Sequence, residues 1–409
     1  MEMKTNKYTN LSKLVKDSDF DYVLEAFFTL DLAKKEDSEN ISPASIRRKF
    51  VNRVLAKPLD VLNQLPLNDL VLIEKMTEQL PENKPLRVLS NGACSLLADL
   101  CLATLDIDEE NELYDYYSMP DDLLQAMAPH VKAAQDYLGN APRFAFEQIM
   151  AGALNLYGVL TKSQMKQIFR ETLSVEDDGG NIVDMLMEKS AMANVLAITG
   201  STPDDIVFYS FFCDDDQEVM QKMRKHDSLD YVQFDINTLR RAGDLTMPQL
   251  PNKDTNTFVK AMRDAKIPDD EIQAILVVIW SQAQILSPAQ VLAKMTDIIH
   301  WGGYYRRMTE KKYNRVLEEL VNYLNNTPRW EFKGHTPARI FQQKVKTTDT
   351  PDRLRPPVGG TPHLEMPTAG AAPFVGLPHG IMPFFKVAPY EPCPCGSGKR
   401  FKDCHGIKN

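Results

Sequence analysis

The chain has 409 residues, of which 43% are apolar and 25% are charged, as in ordinary soluble proteins with about two or three domains. Its formal net charge of -9 argues against a protein that coats nucleic acid over its whole surface. No run of about eighteen apolar residues occurs, and the polar start from Met1 to Asn10 lacks the apolar region of a signal peptide. We therefore expect a cytoplasmic protein without a membrane span.

Most of the chain carries the pattern of α-helices, and the sequence predicts a mainly α, multi-helix body. Helix starts are marked by an oxygen-bearing cap residue before a proline, at Ser42-Pro43, Thr202-Pro203, Ser287-Pro288 and Thr336-Pro337. Thr161 with Gln164, and Ser287 with Gln290, have the spacing of a capping box. Two apolar stripes recur at helical intervals: Ile272, Ile275, Leu276 and Ile279, and Val316, Leu317, Leu320, Val321 and Leu324.

Strand patterns are scarce. The segment from Ile206 to Phe212 is rich in β-branched and aromatic residues and is a candidate strand. The Thr-Pro-Asp-Asp sequence before it favours a buried helix instead. Asp177 to Asn181 contains two glycines and predicts a turn or a small loop.

Interruptions of the helical pattern suggest how the chain is divided. They fall at Pro81 to Pro85 and at the polar segment from Arg241 to Thr257. We expect helical regions at residues 1–80, 86–240 and 258–346, a proline-rich flexible linker at 347–390, and a small zinc knob at 391–409.

The linker is defined by composition, because nine prolines and several glycines lie between Thr347 and Glu391 without a periodic apolar face. A coil of that length would separate its ends by roughly 40 Å. Two apolar spots interrupt it, Pro373 to Val375 and Met382 to Phe385. Each could dock on the body or serve as a recognition segment, or the linker could be disordered throughout.

Several clusters in the body could bind a ligand, but each also has a structural interpretation that we favour. The basic segment from Ile46 to Lys57 contains Arg47, Arg48, Lys49 and Arg53, and could contact nucleic acid or be a solvated helix face. His300 to Arg307 combines aromatic residues with arginines, which could stack bases, or could be a helix end with a glycine stop and a packed Trp301. Arg329, Trp330, Lys333 and His335 could form a second such surface, or a loop that tucks Trp330 inward.

Two acidic clusters could attract a cation. Asp106 to Glu112 lacks the glycine expected in a calcium loop, so we interpret it as an acidic loop or a helix start. Asp214 to Asp216 is interpreted as a helix cap. The sequence contains no nucleophile elbow, zinc-protease motif, dinucleotide fingerprint or kinase motif set, so nothing in it argues for catalysis.

The end of the chain has the residues of a closed zinc site. Three of the six cysteines crowd into twelve residues, and Cys393 and Cys395 form a first pair that Cys404 and His405 complete. In a reducing cytosol such a crowd favours a metal site over disulfides. Three thiolates and one imidazole fill the tetrahedral shell that Zn²⁺ prefers and leave no open position, so the site is structural.

The residues between the two pairs suit a small metal-folded knob. Gly396 and Gly398 allow a tight turn near the metal, and Phe401 can form a miniature core. From Glu391 to Asn409, four basic residues against two acidic ones give a charge of about +2, which leaves -9 - 2 = -11 for the rest. A phosphate loop is excluded, because Cys393 and Arg400 stand where its first glycine and its Ser or Thr belong.

The stretch from Glu391 to Ile407 closely resembles the SEC-C motif, known from the C-terminal zinc tail of the SecA translocation motor. The resemblance implies Zn²⁺ bound by Cys393, Cys395, Cys404 and His405, and a partner-binding surface of Lys399, Arg400, Phe401 and Lys402. It implies a SecB-like export chaperone or the ribosome as the partner. Asn325 to Pro337 makes the body similar to bacterial SEC-C proteins of uncharacterised function.

The sequence thus predicts a zinc-binding adaptor that docks on a protein-export chaperone or a ribosome through its tail. The alternative is a nucleic-acid-associated or regulatory helical protein in which the knob is only structural. The basic segment near Arg47 motivates that alternative.

Overall fold

The computed structural model describes residues 8–33, 42–80, 82–89, 95–107, 114–173, 178–199, 206–213, 215–244, 248, 250 and 252–347. Most of these residues are helical, which confirms the prediction of a mainly α body. The predicted linker after Thr347 and the predicted zinc knob lie outside the described residues.

The first half of the body alternates helices with two small sheets. Its helices are α1 (Leu11–Asp17), α2 (Phe20–Thr29), α3 (Pro43–Ala56), α4 (Pro58–Leu62), α5 (Leu67–Thr77), α6 (Asp121–Met127), α7 (Val131–Asn140), α8 (Pro142–Tyr157), α9 (Lys162–Leu173), α10 (Asp178–Lys189), α11 (Ala191–Val195), α12 (Asp216–Arg224) and α13 (Ile236–Ala242). The second half contains α14 (Lys253–Asp264), α15 (Asp269–Ile285), α16 (Pro288–Trp301), α17 (Glu310–Asn325) and α18 (Pro337–Thr347).

Each sheet has three antiparallel strands with the last strand in the middle. The first sheet has the order β1 (Leu86–Leu89), β3 (Tyr114–Ser118), β2 (Thr104–Ile107). The second has the order β4 (Val159–Thr161), β6 (Ile206–Tyr209), β5 (Ala197–Thr199).

The preference for a helix at Ile206 to Phe212 was wrong, because β6 is the central strand of the second sheet. Ile206 and Phe208 are buried while Val207 and Tyr209 are half-buried, which is the period-two pattern of a strand. Leu160 lies opposite Phe208 on one side, and Ala197 lies opposite it on the other. Pairing with both neighbours satisfies the backbone groups and overrides the local helix signal. The expected cap at Thr202-Pro203 lies outside the described residues.

Two smaller expectations also differ from the structure. Asp178 to Asn181 forms the first turn of α10 rather than a separate turn. Asp106 lies in β2, so the helix start suggested at this residue is wrong. Residues 108–112 lie outside the described part of the chain, and the acidic loop stays a prediction.

The predicted helix caps are confirmed wherever the structure describes them. Ser42 accepts a hydrogen bond from the amide of Ser45 at the start of α3. The Thr161 hydroxyl accepts from the Gln164 amide at 3.2 Å, and the Gln164 side chain accepts from the Thr161 amide at 2.8 Å. The capping boxes and the proline starts are therefore formed as the sequence predicts.

The body buries two large hydrophobic cores and a smaller cluster that joins them. One core draws residues from Tyr8 to Ala242, and the other from Phe258 to Leu324. The predicted stripe on α15 is buried, with Ile272, Ile275, Leu276 and Ile279 each at most 3% exposed. The division of the body into three regions stays a prediction.

Helices α8 and α13 cross at two glycines. A methyl group on Gly152 would overlap the Leu239 carbonyl, and one on Gly243 would overlap the Gln148 carbonyl. Only residues without a side chain allow the two backbones to approach this closely.

Candidate functional site

Trp330 anchors the segment before α18 to both halves of the body. Its side chain is 0% exposed, and its indole Nε1 donates a hydrogen bond of 2.8 Å to the Asn155 carbonyl on α8. Its amide donates to the Gln284 side chain on α15 at 3.1 Å. Gly158, at φ 82°, lies against the indole ring and ends α8. The prediction that Trp330 tucks inward is confirmed.

The basic side chains of the same segment lie against backbone carbonyls of the body. Arg329 Nη2 donates to the Leu286 carbonyl at 3.0 Å, and burial lowers the pKa of Arg329. Lys333 Nζ donates to the Leu229 carbonyl at 2.8 Å. His335 Nε2 lies 3.0 Å from the Asp230 carbonyl oxygen. These contacts fix the segment in place and use donors that a phosphate ligand would need.

The cluster from His300 to Arg307 is a helix end, as expected. Helix α16 ends at Trp301, and Gly303 takes a left-handed conformation with φ 67°. Tyr304 is buried in the second core, and the His300 ring lies 4.6 Å from the Tyr305 ring. Burial lowers the pKa of His300. The side chains of Trp301 and Arg307 lie outside the described residues.

Two arginines of the basic segment in α3 hold the ends of neighbouring helices. Arg47 donates to the carbonyls of Val15 and Ser18, at 3.1 Å and 2.8 Å, at the end of α1. Arg53 donates to the Leu32 carbonyl just after α2. Cations at helix carboxyl ends bind orphan carbonyls and oppose the helix dipole. The segment therefore offers fewer donors to nucleic acid than its sequence suggests.

The acidic clusters and the single cysteines of the body form no metal site among the described residues. Asp215 caps α12 by accepting from the Glu218 amide at 2.8 Å, as predicted, and Asp214 lies outside that part of the chain. Cys101 and Cys213 are buried free thiols. Within the described ranges, no group of three or more His, Cys, Asp or Glu side chains could hold a metal ion. None of the helices described is long and apolar enough to cross a bilayer.

A buried carboxyl group that the sequence did not reveal lies near the start of α5. Asp69 is 0% exposed, and its two oxygens lie 3.3 Å and 3.2 Å from the Leu96 amide. Burial raises the pKa of Asp69 to about 7, although hydrogen bonds from Ser95 and Leu96 oppose the shift. The only local signal was an acidic residue inside the apolar run from Leu65 to Ile73.

A groove of about 650 Å³ lies between helices of the two halves. We call this surface the seam groove; it is lined by α5, β1, α8, α11, the end of α13, and α15. Its residues are Pro66, Leu67, Asn68, Val71, Leu72, Lys75, Leu86, Arg87, Val88, Phe144, Glu147, Gln148, Ala151, Met192, Gly243, Asp244, Gln273 and Val277. Sequence analysis missed it because these residues are brought together only by tertiary packing.

The charge on Glu147 at the seam groove is neutralised from within the body. Burial raises the pKa of Glu147, while Arg143 Nε lies 3.1 Å from its Oε1 and the Ser190 hydroxyl donates to the same oxygen at 2.6 Å. Arg143 also donates to the carbonyls of Asn63 and Lys189. The Arg143–Glu147 ion pair therefore connects α8 to the ends of α4 and α10. Most of the remaining surface of the seam groove is apolar.

The four predicted metal ligands, Cys393, Cys395, Cys404 and His405, lie outside the described residues. So do the four residues predicted to bind a partner, Lys399, Arg400, Phe401 and Lys402. The suitability of these four residues for a metal is therefore argued from their donor atoms. Three thiolates and one imidazole are a ligand set that Zn²⁺ prefers.

Comparison with known proteins gives one result that bears on this site. No curated protein and no solved structure matches the chain, so the similarity of the body to bacterial SEC-C proteins stays a prediction. A protein-family model described as "SEC-C motif" matches residues 391–407. The chain thus carries a SEC-C motif at its carboxyl end, beyond the helical body.

Proposed function

We propose that the protein is a zinc-dependent adaptor that docks on a partner through its C-terminal knob. The match of residues 391–407 to the SEC-C motif carries this proposal. Cys393, Cys395, Cys404 and His405 would hold Zn²⁺, which supplies the folding free energy, on the order of 10–16 kcal/mol, that so short a segment cannot obtain from a core.

The proposed docking surface is the basic rim formed by Lys399, Arg400 and Lys402 with Phe401 between them. A protein-export chaperone or the ribosome is the proposed partner, on the basis of the resemblance of the motif to the SecA tail. An acidic partner surface would complement the rim, and the attraction would weaken with added salt.

The contacts of the body support a docking role for the knob rather than for the basic clusters of the helices. Arg47, Arg53, Arg329 and Lys333 all donate to backbone carbonyls within the body. These contacts leave fewer free donors for the nucleic-acid alternative. Binding of RNA or DNA by the protein at low salt, with strong salt dependence, would revive it.

Metal analysis tests the zinc site. Purified full-length protein is expected to contain one zinc per chain, and the double variant C393S/C395S is expected to contain none. C213S, which removes a buried thiol of the body, is the matched control and keeps the metal. Full-length protein without stoichiometric zinc would refute the site.

A pull-down tests the docking role. Intact protein, a chain truncated after Thr347, and the charge-reversal variant K399E/R400E/K402E are compared from the same cell extract, with RNase added to half of each sample. The variant must retain zinc for the comparison to hold. We expect only the intact protein to recover chaperone or ribosomal proteins, and equal recovery by all three would exclude docking through the knob.

A further inference from the structure

We propose that the linker segment Met382–Phe385 binds in the seam groove and holds the C-terminal knob against the body. The contact itself does not depend on the proposed adaptor function, and only its regulatory consequence rests on that function. It follows from the apolar groove between the two halves of the body and from the apolar segment that lies beyond Thr347 on the same chain.

The wall of the seam groove exposes apolar surface that a ligand could cover. Leu67, Val71, Leu86, Val88 and Phe144 line it and are only half-buried. Core residues form the bottom of the seam groove, and its upper wall is accessible to an apolar ligand. Its volume of about 650 Å³ is in the usual range for binding sites.

The chemistry of the linker segment suits this groove. Met382, Phe384 and Phe385 place three large apolar side chains within four residues. Phenylalanine buries a large area on binding, and the flexible thioether of methionine fills irregular gaps. Pro383 fixes its own φ and favours an extended residue before it, so the segment loses less conformational entropy on binding.

Chain length makes a partner on the same chain the favoured occupant. Thirty-four residues separate Thr347 from Met382, and a chain of that length can span up to ~110 Å. A compact body of about 340 residues has a radius of gyration of only ~20 Å, so every point on it is within reach. Tethering gives an effective concentration near the millimolar range, which a second copy at micromolar concentration does not match.

The position of the segment gives the contact a regulatory consequence. Cys393 lies eight residues after Phe385, so a bound segment keeps the knob close to the body. A partner that pulls the knob away from the body must also displace the segment Met382–Phe385 from the seam groove. Partner binding and groove occupancy therefore oppose each other, and the coupling is reciprocal.

Limited proteolysis of the full-length protein tests the contact. Trypsin can cut after Lys386, next to the segment, and after Arg353, which serves as an internal reference on the same linker. We expect F384S/F385S to raise the ratio of Lys386 to Arg353 cleavage by about tenfold or more, because a bound segment resists the protease. F374S, at the other apolar spot, should leave the ratio unchanged.

A change in the groove should have the same effect as a change in the linker. V71E places a charge on the half-buried wall and should raise the ratio as F384S/F385S does, whereas V51E, on the half-buried face of α3, should not. Circular dichroism confirms that both variants are folded. Ratios that match the wild type in both V71E and F384S/F385S would overturn the proposal.

Cross-linking identifies the occupant. A photoreactive benzoylphenylalanine at position 384 should attach to peptides of α5, α8 or α15 of the same molecule. In a mixture of light and heavy isotope-labelled protein, cross-links between the two labels would show that a second copy fills the groove and would refute the intramolecular contact. F384S/F385S should retain its zinc, so failure of this contact is distinguishable from failure of the zinc site.

Discussion

The buried carboxyl group of Asp69 makes a quantitative prediction about stability. In the unfolded chain, an aspartate titrates near its ordinary pKa of 3.8, whereas burial raises the pKa of Asp69 to about 7 in the folded protein. The folded state therefore holds this proton between about pH 4 and pH 7, where the unfolded state has lost it.

The sign of the effect follows from that difference. Below pH 3.8 both states are protonated and the full stability is present, and it is lost as the pH rises through the folded-state pKa. The difference between a pKa of 3.8 in the unfolded chain and about 7 in the folded protein corresponds to a decrease of ~4 kcal/mol in the free energy of unfolding by pH 8.

The substitution D69N isolates this effect. The amide oxygen of asparagine can still accept from the Leu96 amide, but the side chain no longer ionises. We expect the difference in unfolding free energy between wild type and D69N to change by ~4 kcal/mol between pH 4 and pH 8, in favour of D69N at high pH.

Urea unfolding followed by circular dichroism measures this difference at each pH, and the ordinary carboxylates cancel between the two proteins. D60N, which removes a carboxylate that is 62% exposed, controls for the loss of one surface charge. Parallel pH profiles of wild type and D69N would refute the reasoning, because they would mean that Asp69 is ionised in the folded protein at no cost.

Two further predictions follow from the packing. W330F removes the indole hydrogen bond to the Asn155 carbonyl while keeping most of the ring, and should lower the unfolding free energy by ~1–3 kcal/mol; a urea midpoint equal to that of the wild type would contradict the anchoring role. G243A places a methyl group against the Gln148 carbonyl at the α8–α13 crossing and should lower the unfolding free energy by ~1–3 kcal/mol. G139A, in α7 with open space around it, is the matched control and should be neutral or stabilising by up to ~1 kcal/mol in the same urea unfolding assay.

Features encoded by neighbouring residues were predictable from the sequence. A cap residue, a proline at the first position and an apolar stripe act within one or two helical turns, and so α3, α16 and α18 begin where the sequence places them. The SEC-C motif at residues 391–407 is likewise a local pattern, and it includes the thirteen consecutive residues from Cys393 to His405 that contain the proposed zinc ligands.

Features that depend on distant residues were not predictable. The strand β6 forms because β4 and β5 pair with it, and β4 begins almost fifty residues earlier in the chain. The seam groove brings together residues from Pro66 to Val277. Burial raises the pKa of Asp69, and its hydrogen-bond partner Leu96 lies 27 residues further along the chain, so no local pattern encodes this environment.

The position of Trp330 determines how a mechanical load on the tail would reach the body. A partner that pulls on the C terminus applies force at Thr347, the end of α18, a few turns beyond the indole that is bonded to α8 and packed against Trp280 of α15. Helix α18 (Pro337–Thr347) lies between that point and the indole, so it bears the load first. Force that passes beyond α18 reaches Trp330 and is shared between α8 and α15. Under tension from a moving partner, α18 would therefore detach before the Trp330 anchor, and the rest of the body would stay folded until that anchor broke.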